Sequence, residues 1–183
     1  MPLTTYTAGE VLTANSLNDN FTAAGGLQFI KSQTIGAGVA SVTVSSAFSS
    51  TYDNYKIILT GGVASTSADV TMQLGATTTG YYGGLFYGLF SATSPLATSA
   101  GNNSANWNFA AKQDTDSLFA NIELFNPFAT KWTRINAWSY NTSTAAGWMT
   151  GNLQNSTSYT AFTFTFAGTA TGGTISVYGY QKS

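Results

Sequence analysis

From Leu27 onward, apolar and small polar residues alternate with a period of two, in runs separated by clusters of Gly, Ser, Thr and Asn. The alternation predicts strands over residues 29–35, 39–44, 55–60, 70–74, 85–90, 107–111, 118–125, 133–140, 147–153, 159–166 and 174–180. Turn chemistry lies between them. Gly36-Ala37-Gly38 joins the first pair, Gly172-Gly173 the last, and Pro127 after Asn126 breaks the chain behind a strand. Many short strands with no helical period between them point to an all-β fold, an antiparallel β-sandwich that is jelly-roll-like. They exclude a parallel βαβ architecture. In the last hairpin, Phe162, Phe164 and Phe166 share one face, which is assigned to the core. In the closing strand Ile175 and Val177 share one parity, and Tyr178 and Tyr180 the other. The tyrosines face either a neighbouring subunit or solvent.

The stretch from Tyr6 to Gly26 breaks this pattern. Thr13 is an N-cap, Leu12 and Leu17 take the positions of a hydrophobic staple, and Leu17, Phe21 and Ala24 follow at helical spacing until Gly25-Gly26. A helix of about twelve residues is marginal alone in water, so Leu17 and Phe21 must be covered by something. Either the chain's own domain covers them or a larger assembly does. The expected organisation is an N-terminal attachment segment with a short helix, 1–26, followed by a β-sandwich domain, 27–183.

The start T-x-x-x-G-E-V-L-T-A-x-x-L-N-D-N-F, running from Thr5 to Phe21, resembles the N-terminal attachment segments of small tail-fibre and decoration proteins of tailed bacteriophages. The later words YDNYKIILTGGVAS and LFANIELFNPF resemble strands of the same group of virion proteins. The resemblance implies a homo-oligomer, with trimers the family expectation, that docks on other virion proteins through Leu12, Leu17 and Phe21. It also implies a protein assembled in the host cytoplasm and released by lysis in the virion.

Composition narrows the chemistry. Hydrophobic residues make up 43% of the 183, enough for one core, but charged residues only 7%, against roughly 25% in ordinary domains. With a net charge of -1, so little repulsion favours self-association. The six basic residues are scattered, so no nucleic-acid footprint is expected. No apolar run is long enough for membrane insertion. The chain has no cysteine and no histidine, which removes disulfides, zinc-thiolate sites, Ser-His-Asp triads and histidine bases. Asp114-Thr115-Asp116 is a poor match to a calcium loop and reads as a solvated turn. Glu123 reads as structural, with Arg134 or Lys131 on the next strand as its partner. No enzymatic activity, metal or cofactor is expected.

Two aromatic-rich regions are candidates for recognition. Residues 81–90, including Tyr81 and Tyr82, combine aromatics with glycines, which suits either core or intersubunit packing or a stacked sugar ring. Residues 91–107 read as a long polar loop, either a mobile loop without a ligand or a surface presenting Asn102, Asn103, Asn106 and Trp107 to a host glycan. Residues 141–146 form a second, fainter candidate loop. Three functions fit: a short tail-fibre or receptor-binding protein, a capsid cement or decoration protein, and a free carbohydrate-binding β-sandwich module.

Overall fold

The structure, a computed structural model, describes residues 5–11, 13–23, 26–90, 97–141 and 145–182. Among the described residues one helix, α1 (Ala14–Ala23), precedes thirteen strands. These are β1 (Leu27–Thr34), β2 (Val39–Val44), β3 (Asn54–Thr60), β4 (Val63–Ala64), β5 (Ala68–Leu74), β6 (Tyr81–Leu89) and β7 (Ala97–Ser104), followed by β8 (Trp107–Gln113), β9 (Leu118–Phe125), β10 (Thr133–Asn141), β11 (Ala145–Leu153), β12 (Phe162–Thr171) and β13 (Thr174–Tyr180). Every strand that the alternation predicts is present, and every pairing is antiparallel.

Thr13 caps α1 as its sequence position requires. Its hydroxyl accepts from the Ser16 N–H at 3.2 Å, and its carbonyl accepts from the Leu17 N–H at 3.0 Å.

The strands form two facing sheets. One runs β1-β13-β3-β9 and continues as β10-β11-β6-β7; the other runs β2-β12-β5-β8, with β4 against the end of β12. Strands adjacent in sequence therefore sit opposite each other, β1 over β2 and β13 over β12, while β8 and β9 diverge into the two sheets from a corner where Lys112 pairs with Phe119 and Gln113 with Leu118. That arrangement is the jelly roll. Two insertions extend it. The hairpin β6–β7 enters between β5 and β8, the hairpin β10–β11 between β9 and β12, and β6 pairs with β11 to prolong the larger sheet.

This topology corrects the reading of two glycine turns. Neither 36–38 nor 172–173 closes a hairpin, because β1 pairs with β13 while β2 pairs with β12. Both turns carry the chain from one sheet to the other, and they do so side by side. The Ile35 N–H donates to the Gly173 carbonyl and the Gly172 N–H to the Gly36 carbonyl, each at 3.0 Å. Gly61-Gly62, between β3 and β4, crosses on the same edge. A Cβ on Gly62 would lie 2.2 Å from the Gly172 carbonyl oxygen, and one on Gly173 2.4 Å from that of Gly61.

Between the sheets lies one apolar core. Phe162, Phe164 and Phe166 are buried there, as their shared parity predicts, with Tyr55, Ile57 and Leu59 among the residues facing them from the larger sheet. Each such side chain contributes roughly 1.5–3 kcal/mol on burial. Gln113 is fully buried although polar. Its amide donates to the Thr66 and Ala167 carbonyls at 2.9 and 2.7 Å and accepts from the Ala167 N–H at 3.1 Å, so it costs little and ties β8 to β12.

Two strands were not predicted. β4 is only two residues long. β7 occupies residues assigned to a loop, because as an edge strand of the extension it covers no core on either face and needs no apolar alternation.

The crossover glycines give a direct test. Gly62→Ala, at φ +73° and against backbone, should destabilise the fold by about 3 kcal/mol, lowering Tm by roughly 6–12 °C. Gly38→Ala, at φ +65° with open space around it, should cost only about 1 kcal/mol. Equal losses on thermal melting would show that the crossing backbones are not in contact.

Candidate functional site

A groove of about 850 Å3 opens on the outer face of the larger sheet, where the jelly roll meets its extension. Its wall is the turn between β9 and β10. Asn126 enters that turn at φ +59°, with its N–H donating to the Asp53 carbonyl at 2.7 Å. Pro127 is buried, its carbonyl accepts from the Tyr159 N–H at 2.9 Å, and Phe128 packs against the core. The Lys131 N–H then donates to the Ala129 carbonyl at 2.8 Å. A turn fixed at so many points holds the backbone that carries Trp132, a residue 49% exposed. The floor comes from the outward positions Arg134, Asn136 and Thr150 of β10 and β11, with the Gly151 backbone beside them. Thr150 Oγ1 donates to Asn136 Oδ1 at 2.9 Å, which leaves the amide nitrogen of Asn136 without a partner among the described residues.

The charges around the groove are unequal. Of the chain's six cations, Lys56, Lys112 and Lys182 pair with Glu123, Asp69 and Asp53 at 2.8, 3.0 and 2.9 Å. Lys31 donates to the Ser45 carbonyl at 2.6 Å. Lys131 and Arg134 have no carboxylate partner among the described residues, and both line the groove, which no acidic residue lines.

The expected pairing of Glu123 with Arg134 or Lys131 is thereby corrected. Register sets Glu123 beside Lys56 on β3 and Asn136 on β10, while Arg134 stands opposite Phe125. The second carboxylate oxygen of Glu123 accepts from the Tyr180 hydroxyl, so Tyr180 is engaged within its own chain. Tyr178 likewise packs edge-on against Phe29 at 5.6 Å.

Of the sequence-predicted recognition residues, Tyr81, Tyr82, Asn106 and Trp107 come together around one small hollow that has no room for a water-sized ligand. Trp107 is 1% exposed, lies opposite Met72 and packs edge-on against Tyr81 at 5.0 Å, so its ring belongs to the core and not to a surface loop. Tyr81 is fully buried, with its hydroxyl accepting from the Leu74 N–H at 2.7 Å. Asn102 and Asn103 form a bulge in β7 opposite Tyr82, because Tyr81 pairs with Ser104 while Gly83 pairs with Gly101. Asn103 accepts from the Gly80 N–H at 2.8 Å, which is a structural task. Asn106 keeps a buried, unpartnered Oδ1 beside Trp107. Asp114, assigned to a solvated turn, is buried instead, its carboxylate accepting from the Thr115 N–H at 2.7 Å. Leu12, the Phe21 side chain, residues 91–96 and residues 142–144 lie outside the described part.

Sequence reasoning passed over two further features. Trp132 stands between Lys131 and Arg134 in the sequence, the one place where two of six cations flank an aromatic. Trp138, Trp148 and Phe86 form a ladder across β10, β11 and β6, with ring centroids 5.8 and 5.6 Å apart. Trp138 is 60% exposed, and the same row continues through Asn121 and Ile58 without a charge.

No family model matches the chain, and no curated protein does. A solved structure of infectious bursal disease virus Gt strain is similar at 10% identity and a TM-score of 0.14, over 82% of this chain and 41% of that one. The chain thus spans less than half of that neighbour, and so slight a likeness bears on neither fold nor function.

Tyr180 supplies a pH test. Burial first, then its bond to Glu123 and that carboxylate's charge, push its phenol from 10.0 up to about 12. Between those values the unfolded chain has released this proton and the folded chain retains it, so stability falls as pH rises from 10 to 12. Tyr180→Phe should flatten that decline in urea unfolding. Identical slopes would remove this phenol from the account.

Proposed function

We propose that this chain is a structural accessory protein on the exterior of a tailed-phage virion, a short tail-fibre or receptor-binding protein anchored by its N-terminus. The observation that carries the reading is the state of the arm. Leu17 is 38% exposed and Val11 82% exposed, and α1 has no extensive packing against any strand among the described residues. The chain's own domain leaves Leu17 partly exposed, and its cover in this reading is another virion protein, in keeping with the resemblance of residues 5–21 to attachment segments. The sandwich is the end turned toward the host. No catalytic step is assigned to it.

Copies of the chain associate through the Trp138–Trp148–Phe86 ladder, an uncharged aromatic row on a surface that has little charge to oppose contact. That broad lateral surface also favours a second reading, a cement or decoration protein whose sandwiches tile the head and whose arms tie neighbours together.

Copy number separates the two. Quantitative mass spectrometry of purified virions should find a few multiples of a small number relative to the major capsid protein; hundreds of copies would turn the assignment to cement. Leu17→Asp should leave the sandwich's melting unchanged and keep the protein off the particle, whereas normal incorporation would remove the arm from attachment. Trp138→Glu should shift the purified chain to monomer in light scattering, and an unaltered oligomer would place the interface elsewhere.

A further inference from the structure

We infer that the groove beside Trp132 binds a carboxylate-bearing saccharide, with Trp132 stacking on the ring and Arg134 and Lys131 holding the acid group. The inference deepens the receptor-binding reading by naming the ligand class, and rests on that reading only for its biological setting. Three observations converge on it. The indole is half exposed on a turn whose backbone is pinned by Asn126, Pro127 and Phe128, so the groove wall that carries it is in place before a ligand arrives. An apolar C–H face stacks on such a ring.

The second observation is the charge. In a chain that neutralises three of its lysines with carboxylates and engages a fourth on a carbonyl, the two remaining cations meet in one groove with no acid in its lining. A guanidinium matches a carboxylate with two parallel N–H donors, and Lys131 adds a mobile point charge from the turn. Third, the rest of the lining suits hydroxyls. Asn136 presents a free amide nitrogen and Thr150 a hydroxyl. At about 850 Å3 the groove falls within the size range of small-ligand sites. A bare anion would use only the cations, and a neutral sugar only the ring and amides. An acidic sugar uses all of them.

The full-length chain would be titrated calorimetrically with tetragalacturonate, with neutral maltotetraose and with inorganic phosphate, while the Trp132 indole N–H is followed by NMR. Tetragalacturonate should bind and move that resonance, and maltotetraose should bind at least about tenfold more weakly. Phosphate should not displace the acidic tetramer at equal concentration. Trp132→Ala should weaken binding about tenfold while Trp132→Phe retains most of it. Arg134→Gln with Lys131→Gln should abolish the loss of affinity caused by raising salt from about 0.05 to 0.5 M. All these side chains are exposed, so unchanged melting is the control for folding. Equal binding of the neutral tetramer, displacement by phosphate, no effect of Trp132→Ala, or no binding of tetragalacturonate would each overturn the assignment. Particles carrying Trp132→Ala report separately on the receptor reading: if the purified chain binds tetragalacturonate through the groove but these particles adsorb normally, the ligand class stands and the groove is not the receptor contact.

Discussion

Three backbone segments cross from one sheet to the other along a single edge, and they lie too close for a Cβ to fit between Gly62 and Gly172 or between Gly173 and Gly61. That contact fixes the jelly roll. It sets β1 beside β13 and β2 beside β12, so that the first and last strands of the domain close the same edge. Once the crossing is set, inner parity follows along every strand, and Phe162, Phe164 and Phe166 of one sheet meet Tyr55, Ile57 and Leu59 of the other. The price of the crossing is five glycine residues held at positive φ, a conformation that other residues enter only with strain.

The surface chemistry follows from where the two inserted hairpins attach. Pairing β10 onto β9 and β6 onto β11 extends the larger sheet beyond the reach of most of the smaller one, and this extension carries the aromatic ladder on its outer face. The groove lies at the seam. Its turn belongs to the β9–β10 connection and is anchored in the jelly roll by Pro127 and Phe128, while its floor belongs to the inserted hairpin. Charge is distributed with the same economy. Glu123 is neutralised by Lys56 within the sheet, which leaves Arg134 unpaired two positions along β10 and available to the groove.

Much of the fold is legible in the residues because alternation is a local property. The strand positions, the Thr13 cap and the inward phenylalanines depend on neighbours within a few residues. Misreadings arise where neighbours are insufficient. A Gly-Gly pair suits a hairpin and a crossover equally, since both need positive φ, so 172–173 does not disclose that its flanking strands lie in different sheets. Residues 97–104 carry no alternation because an edge strand without a core face needs none. Trp107 ends a polar run and opens a strand that alternation predicts, but no local pattern shows that its ring turns inward against Tyr81.

The sequence by itself determined an all-β chain with a capped N-terminal helix, little charge, and neither histidine nor cysteine for catalysis. The parity of each strand also separated core from surface, because successive side chains must point to opposite faces. Only the tertiary structure decided which strands pair, hence which lysine neutralises Glu123 and which cations remain unpaired. It alone assembled the groove, since Asn54, Lys131, Trp132, Thr150 and Ser156 come together through strand register and through no spacing along the chain. Long-range register depends on how all the sheets close at once, and no local window contains that information.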